Sequence, residues 1–196
     1  MKFAVLLLSY LLGSIPVGYI VCKLGKGINI MEHGSGNIGF TNVLRVAGPL
    51  YGAVVLLGDT GKGMLATYLG LKYGIQWGIL GGIAAMLGHS FSIFLKLRGG
   101  KLVATGLGVL IILAPKVALT ALAVWLITLA FTRYVSLSSI LAGISVPIAM
   151  LAYQEPLPMV VFGAFAAGFV VIRHKSNIRK LMAGQEYKIG QKVDPK

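Results

Sequence analysis

Charged residues are scarce in this chain of 196 amino acids, and acidic residues are the scarcest. Only 12% of the residues are charged, about half the share found in soluble proteins, whereas 57% are hydrophobic. A soluble domain of this size would leave much of that apolar surface in water. The composition therefore predicts an all-α, polytopic integral membrane helix bundle with lipid around its apolar segments.

Cysteine and histidine are also too few to support several kinds of site. Cys22 is the only cysteine, so it has no partner for an intramolecular disulfide, and we expect it to pack in an apolar helix. His33, His89 and His174 lie in separate segments without the spacing of metal ligands. No metal and no cofactor is predicted, and no Ser-His-acid triad is indicated.

Seven apolar stretches are predicted to be membrane helices. They comprise residues 3–22, 49–71, 73–95, 102–114, 117–132, 135–153 and 157–172. The stretch 102–114 is too short to cross about 30 Å of hydrocarbon as a straight helix, so it either recruits 99–101 or packs inside the bundle. A cleavable signal peptide is the less favoured interpretation of 3–22, because the run is long and no A-x-A-like site follows it.

The basic residues favour one orientation of these spans. The net charge is +13, from 18 Lys plus Arg and 5 Asp plus Glu. With the N-terminus outside, seven spans place 14 basic residues in cytoplasmic segments and three outside, which predicts a cytoplasmic C-terminus. The chain is predicted to be a single domain, 1–196, with a basic cytoplasmic tail over 173–196. Membrane lipid is the expected partner, and nucleic acid is not.

The segment 34–45 is rich in glycine and in hydrogen-bond donors. Glycines allow backbone N–H groups to converge on an oxyanion, and a guanidinium adds charge-assisted donors. The candidate phosphate-binding residues here are Gly34, Ser35, Gly36, Asn37, Thr41, Asn42 and Arg45. The alternative is an ordinary turn followed by a capped helix.

A second cluster, 88–105, contains three cations within six residues around a Gly-Gly pair. This pattern is typical of a phosphate bound at a helix N-terminus. The alternative is a basic anchor that follows the positive-inside rule. The candidate residues are His89, Lys96, Gly99, Gly100, Lys101 and Thr105.

Two further polar clusters lie at the predicted cytoplasmic boundary. The third cluster opens the sixth stretch, although serines in membrane helices often bond their own backbone. The fourth follows the seventh stretch, where His174 and Asn177 are three residues apart and share a helix face, and a basic membrane anchor is its alternative. The candidate residues are Ser136, Ser138, Ser139, Arg173, His174 and Asn177.

Asp59 and Lys62 interrupt the second apolar stretch. Charges within a membrane segment are costly unless they are paired, so a structural ion pair is favoured over a catalytic role. The surrounding glycines do not form a nucleotide-binding loop, because Gly63 follows Lys62 where serine or threonine is required.

Taken in order, these segments resemble the bacterial acyl-phosphate:glycerol-3-phosphate acyltransferases of the inner membrane. The matching residues are 10–16, 34–45, Asp59 with 62–63, 88–105, and 173–174 with 177–178. The resemblance implies transfer of a fatty acyl chain from acyl phosphate to glycerol 3-phosphate, giving lysophosphatidate and phosphate without acyl-CoA or a metal. The peripheral enzyme that makes acyl phosphate is a candidate partner.

Five positions depart from the family pattern. Asn29 and Met31 stand where Asp and Arg are expected, Phe40 replaces Ala, Ser92 replaces Pro, and Leu102 replaces Gly. We expect these departures to bear on donor preference or turnover rather than on the reaction.

Both implied substrates carry phosphate, so the site is predicted to hold two phosphate groups close together on the cytoplasmic side. Catalysis is then mainly proximity and charge stabilisation, with a substrate phosphate oxygen accepting the hydroxyl proton and His89 or His174 as alternative bases. The residues predicted to be catalytic are Ser35, Asn37, Arg45, Lys101, His174 and Asn177. The alternative functions are a small transporter or flippase for an anionic substrate and a structural adaptor.

Overall fold

Ten α-helices account for most of residues 2–191, the part of the chain that the computed structural model describes. Residues 2–113 form one unit and residues 114–191 form a second. Within 2–191 there is no β-strand, only an isolated antiparallel bridge between Ser92 and Arg98. The predicted all-α class is confirmed.

The first unit begins with a helix that is broken at proline. Helix α1, Lys2–Ser14, and helix α2, Val17–Lys26, are separated at Ile15 and Pro16. Proline has no N–H to donate, and it restricts the residue before it, so the helix predicted over 3–22 is interrupted. Helix α2 ends at Gly27, whose φ of 69° is the left-handed conformation of a C-cap.

Four more helices and two short 3-10 helices complete the first unit. They are a 3-10 helix at Ile30–Glu32, α3 at Phe40–Ala47, α4 at Pro49–Leu71, α5 at Ile75–Ser90, a 3-10 helix at Ile93–Leu95, and α6 at Val103–Leu113. Helix α4 has the bounds predicted from the sequence. Helix α5 is shorter at both ends than the predicted 73–95; Gly74, with a φ of 108°, precedes its first residue.

Glycines let the helices of the first unit approach closely. Helix α1 packs against α4 and α5, and α4 also packs against α5 and α6. A Cβ atom at Gly13 would overlap the backbone of Ala85, and one at Gly63 would overlap the carbonyl oxygen of Thr105. As in other membrane helix bundles, small residues allow direct backbone contact.

A buried apolar cluster lies beneath residues 34–47. It consists of Cys22, Ile30, Ile38, Val43, Ala47 and Val55. Because these side chains come from α2, α3, α4 and the segment between them, their packing fixes the position of the turn before α3. Cys22 is a free, fully buried thiol, which confirms its predicted packing.

The second unit contains α7, Pro115–Thr132, α8, Val135–Ala152, α9, Leu157–Arg173, and α10, Lys175–Met182. Helix α8 packs against both α7 and α9. Helices α9 and α10 meet at a bend of 59° beside His174. Part of the predicted basic tail is therefore helical, and 192–196 lie outside the described residues.

Three segments are long and apolar enough to cross a membrane by length and composition. They are Lys2–Lys26, Pro115–Thr132 and Val135–Ala152. The bent pair of α9 and α10 adds a fourth if it is counted as one span, and α6 is a shorter apolar helix. The described residues thus contain three or four such spans, and the count of seven stays a prediction.

Candidate functional site

Residues 34–39 form a tight turn that leads into α3. Gly34 and Gly36 have φ values of 60° and 70°, which glycine adopts without steric cost. Gly39 is the N-cap of α3. The first backbone amides of the helix therefore face the turn, where they favour binding of an anion. The predicted loop over 34–45 is therefore partly helix, because Thr41, Asn42 and Arg45 lie on α3.

Asn42 holds this turn in place from beneath. Its side chain is buried, and its Oδ1 accepts a hydrogen bond from the Ser35 amide at 2.8 Å. Its Nδ2 donates to the carbonyl oxygens of His33 at 3.0 Å and Asn37 at 2.9 Å. Since both ends of the amide are used within the turn, these bonds favour a role in shaping the turn over the predicted donation to phosphate.

The remaining candidates of this cluster are more accessible. Ser35 is exposed, and Thr41 and Arg45 are half-buried on α3. A hydroxyl and a guanidinium beside a glycine turn can bind oxyanions through neutral and charge-assisted hydrogen bonds.

The chain between α5 and α6 folds back onto the end of α5. The Gly100 amide donates to the carbonyl oxygen of His89 at 2.9 Å. A Cβ atom at Gly99 would overlap that carbonyl oxygen, and one at Gly100 would overlap the His89 imidazole. The Gly-Gly pair therefore meets a packing requirement that the sequence did not reveal.

Asn37 brings the first two predicted clusters together. Its Nδ2 donates to the carbonyl oxygen of Gly99 at 3.4 Å, and its Oδ1 accepts from the Gly39 amide at 2.9 Å. The first bond is long, but it joins the turn before α3 to the turn before α6. Both glycine turns thus lie side by side in the first unit.

Two predicted ligands of the second cluster are buried inside the first unit. The His89 Nδ1 atom lies 3.5 Å from Asp59 Oδ1, and the His89 side chain is 3% exposed. Thr105 is fully buried where α4 meets α6. Lys101 is half-buried, and Lys96 is exposed. His89 and Thr105 are therefore shielded from solvent, whereas Lys96 and Lys101 are accessible.

The ion pair predicted within α4 is confirmed. Lys62 Nζ lies 2.8 Å from Asp59 Oδ1, and both residues are buried. Lys62 also donates to the carbonyl oxygen of Ile15 at 3.0 Å, where the break between α1 and α2 leaves a backbone acceptor available.

In the second unit, Glu186 joins the third and fourth predicted clusters. Its Oε1 atom accepts hydrogen bonds from Ser136 Oγ at 2.7 Å and from Asn177 Nδ2 at 2.8 Å. Glu186 was not among the predicted site residues. The basic tail contains two of the chain's only 5 acidic residues, Glu186 and Asp194, and this scarcity of acids was the signal that could have identified Glu186.

The other two serines of the third cluster are used within the second unit. Ser138 Oγ donates to the Tyr134 carbonyl oxygen at 2.9 Å, and Ser139 Oγ donates to that of Val135 at 2.8 Å. Trp125 also donates to Ser139 Oγ at 3.2 Å. These contacts match the alternative considered for serines in membrane helices rather than substrate binding.

His174 lies between α9 and α10 with its ring held in one orientation. Its Nδ1 atom is 2.8 Å from the carbonyl oxygen of Val170. A carbonyl oxygen cannot donate, so Nδ1 carries the proton and Nε2 of the neutral ring can accept one. Arg173, the last residue of α9, is half-buried, and Asn177 lies on α10. Within 2–191 no group of three metal-binding side chains occurs.

Three comparisons relate the chain to known proteins. A family model described as glycerol-3-phosphate acyltransferase matches residues 3–184. A glycerol-3-phosphate acyltransferase of Desulforudis audaxviator is 50% identical over 180 residues, 91% of each chain. That of Carboxydothermus hydrogenoformans is 46% identical over 185 residues, 94% of each chain.

Two solved structures have the same fold. The glycerol 3-phosphate form of PlsY, an integral membrane glycerol 3-phosphate acyltransferase, matches with a TM-score of 0.93 and 37% identity over 96% of each chain. The lysophosphatidic acid form of PlsY matches with a TM-score of 0.90 over 96% of this chain and 95% of that one.

Proposed function

This chain belongs to the glycerol-3-phosphate acyltransferase family, and from that premise we propose how its residues serve the reaction. It is an integral membrane acyltransferase that transfers a fatty acyl group from acyl phosphate to the 1-hydroxyl of glycerol 3-phosphate. The products are lysophosphatidate and phosphate. The family predicted from the sequence is confirmed, and the transporter and adaptor alternatives are set aside.

The reaction needs positioning more than it needs a strong base. The hydroxyl oxygen forms a bond to the acyl carbon, and the bond from that carbon to the phosphate oxygen breaks. Phosphate is a good leaving group, and one of its own oxygens can take the hydroxyl proton. Holding the two anionic substrates together against their mutual repulsion is then the main contribution of the protein.

The two glycine turns of the first unit are proposed to hold phosphate. Arg45 and Lys101 supply positive charge, and Ser35 supplies a hydroxyl. The observation that carries this proposal is the bond between Asn37 and Gly99, which places the two turns side by side. Asn42 serves by shaping the first turn.

The second unit contains further residues that we propose take part in the reaction. Glu186 accepts a hydrogen bond from Ser136 and from Asn177. Asn177 would offer its second amide N–H to substrate, whereas Ser136, whose single hydroxyl proton goes to Glu186, would offer its oxygen as an acceptor. Nε2 of His174 is the alternative proton acceptor, and Arg173 is a further cation beside it.

We also propose that the chain crosses the inner membrane seven times. Its N-terminus would lie outside and its active site would face the cytoplasm. In the first unit, Lys2 lies over the Trp77 ring at 5.8 Å and Lys72 over the Tyr68 ring at 5.4 Å, near the start of α5 and the end of α4. The more numerous basic residues of the turns lie at the opposite ends of these helices. Charge and aromatic side chains are distributed in this way in proteins that obey the positive-inside rule.

A peripheral enzyme that makes acyl phosphate is the proposed protein partner. Acyl phosphate is a reactive mixed anhydride, so delivery at the cytoplasmic membrane surface would limit its loss to water. The basic tail is the surface that such a partner would meet.

The test is an assay of purified protein with acyl phosphate and glycerol 3-phosphate, in which phosphate and lysophosphatidate are both measured. Acyl-CoA serves as the control donor and should give no product. Arg45→Ala and Lys101→Ala should abolish turnover but leave membrane insertion intact, whereas Lys72→Ala should remain active. Near-normal turnover in both Arg45→Ala and Lys101→Ala would overturn the site assignment. An active His174→Ala variant would exclude His174 as an essential base.

A further inference from the structure

We propose that Asp59 and His89 are positioning residues that hold the turn containing Gly99, Gly100 and Lys101. The proposal rests on the role assigned above to Lys101 in binding phosphate. It assigns a role to Asp59 and His89, two buried residues that take no direct part in the proposed mechanism.

Asp59, Lys62 and His89 form a polar cluster inside an otherwise apolar unit. Their exposed fractions are 2%, 7% and 3%. Burying an ion pair costs desolvation energy that its mutual attraction repays only with good geometry, so apolar side chains would stabilise the helices as well or better. The cluster is thus poorly explained by helix stability alone.

The cluster connects to the turn through His89. One edge of the imidazole faces Asp59, with Nδ1 3.5 Å from the carboxylate oxygen. The opposite edge, with Nε2, fills the space that a Cβ atom of Gly100 would occupy. The His89 carbonyl oxygen also accepts a bond from the Gly100 amide at 2.9 Å. His89 therefore supports Gly100 with both its backbone and its ring.

Lys101 follows Gly100 directly, so a displacement of the turn moves its ammonium group. Misplacement by about 1 Å can cost about 100-fold in rate when catalysis depends on positioning. The Asp59 carboxylate oxygen, 3.5 Å from Nδ1, attracts that edge of the ring electrostatically and so favours one ring orientation. Asp59 thus acts on Lys101 through the imidazole and Gly100.

Gly99 provides a matched control, because its contacts differ in kind. A Cβ atom there would overlap the carbonyl oxygens of His89 and Ser90, which are backbone atoms. Removing the imidazole relieves a clash at Gly100 but cannot relieve one at Gly99. The two neighbouring glycines should therefore respond differently to the same change at His89.

The first experiment is a double-mutant cycle read as KM and kcat for both phosphorylated substrates. Gly100→Ala alone should raise the KM of at least one substrate about tenfold, and in the His89→Ala background it should add less than about threefold. Gly99→Ala should cost the same factor in both backgrounds. An equal effect of Gly100→Ala in the two backgrounds would overturn the proposal.

The second experiment separates positioning from folding. His89→Gln, which can place an amide nitrogen near the Nε2 position, should keep KM closer to the parent value than His89→Asn, which lacks an atom there. Asp59→Asn combined with Lys62→Met should raise KM without leaving a buried unpaired charge. If all three variants change only the amount of folded protein and leave KM unchanged, the cluster is structural and the proposal fails.

Lys101→Ala is measured in parallel to keep the two proposals apart. If Lys101→Ala is as active as the parent, the phosphate-binding assignment itself fails. If Lys101→Ala is inactive while the His89 variants keep the parental KM, only the positioning role fails.

Discussion

Asn37 donates a hydrogen bond to the carbonyl oxygen of Gly99, which lies 62 positions further along the chain. The bond joins the turn before α3 to the turn before α6. Of the two cations proposed to bind phosphate, Arg45 lies on α3, directly after the first turn, and Lys101 lies in the second turn. At 3.4 Å the hydrogen bond is weak, so it adds little stability. Its effect is to fix the position of one turn relative to the other.

Replacing the Asn37 side chain with a carboxylate should separate the two turns. Asn37→Asp keeps an acceptor for the Gly39 amide but faces the Gly99 carbonyl oxygen with a negative charge. The loss of about 1–3 kcal/mol should appear as a KM for the phosphorylated substrates raised about tenfold. Gln76→Glu, which also replaces a side-chain amide with a carboxylate, is the control, because Gln76 is exposed in the first turn of α5 and lies outside both glycine turns. Equal KM values for the two variants would show that the bond has no role.

Local sequence pattern was sufficient for the bounds of α4 and for the backbone of the first glycine turn. Pro49, the long apolar run and the charge at Lys72 define α4, and the structure has the same bounds. Gly34 and Gly36 were predicted to adopt backbone conformations that favour anion binding, and both have positive φ. These features depend on neighbouring residues, so the sequence carries them directly.

Pairings between distant residues were not predictable in the same way. Asn42 looked like a phosphate ligand and instead bonds to the turn before it. His89 was predicted to be a ligand or an alternative base, and the structure buries it with its ring against Gly100. Which partner satisfies a polar side chain depends on the packing of whole helices, and no local spacing reports that packing.

Glu186 should stabilise the second unit through its two hydrogen bonds. Glu186→Ala removes the acceptor shared by Ser136 and Asn177. A hydrogen bond to a charged group contributes at most about 1.5–3 kcal/mol to the free energy of unfolding. Glu186→Gln keeps a neutral acceptor, so unfolding midpoints in detergent should fall in the order parent, Gln, Ala. Glu155→Gln tests the same change at a half-buried acid of this unit. A Glu186→Ala midpoint equal to that of the parent would contradict this order.

At Leu102, where the resemblance leads us to expect glycine, the backbone conformation is one that glycine adopts more readily than leucine. Its φ is 57° and its side chain is 1% exposed, so a strained backbone coexists with a buried leucine. Leu102→Ala and Leu102→Gly both remove that side chain, but glycine also relieves about 1–2 kcal/mol of left-handed strain. Leu102→Gly should therefore be the more stable of the two in thermal unfolding. Leu110, inside α6, is the control position. There Leu110→Ala should be more stable than Leu110→Gly by about 1 kcal/mol, because alanine has the higher helix propensity.

The pair of Asp59 and Lys62 should show strong non-additivity. Lys62→Met leaves a buried carboxylate without its counter-ion, and breaking such a pair costs about 3–5 kcal/mol. Adding Asp59→Asn removes the stranded charge, so the double variant should recover most of the lost stability. The yield of folded protein and the unfolding midpoint in detergent both report this. A double variant that is less stable than Lys62→Met would contradict a simple ion pair.

Two glycines of α4 should respond to alanine with opposite signs. A Cβ atom at Gly61 has no atom within 4 Å, so Gly61→Ala should stabilise the helix by about 0.5–1 kcal/mol. A Cβ atom at Gly63 would overlap the carbonyl oxygen of Thr105 in α6. Because backbone cannot move aside as a side chain can, Gly63→Ala should separate α4 from α6 and cost about 1–3 kcal/mol. Thermal unfolding in one detergent measures both, and equal shifts would mean that α4 and α6 are not in backbone contact.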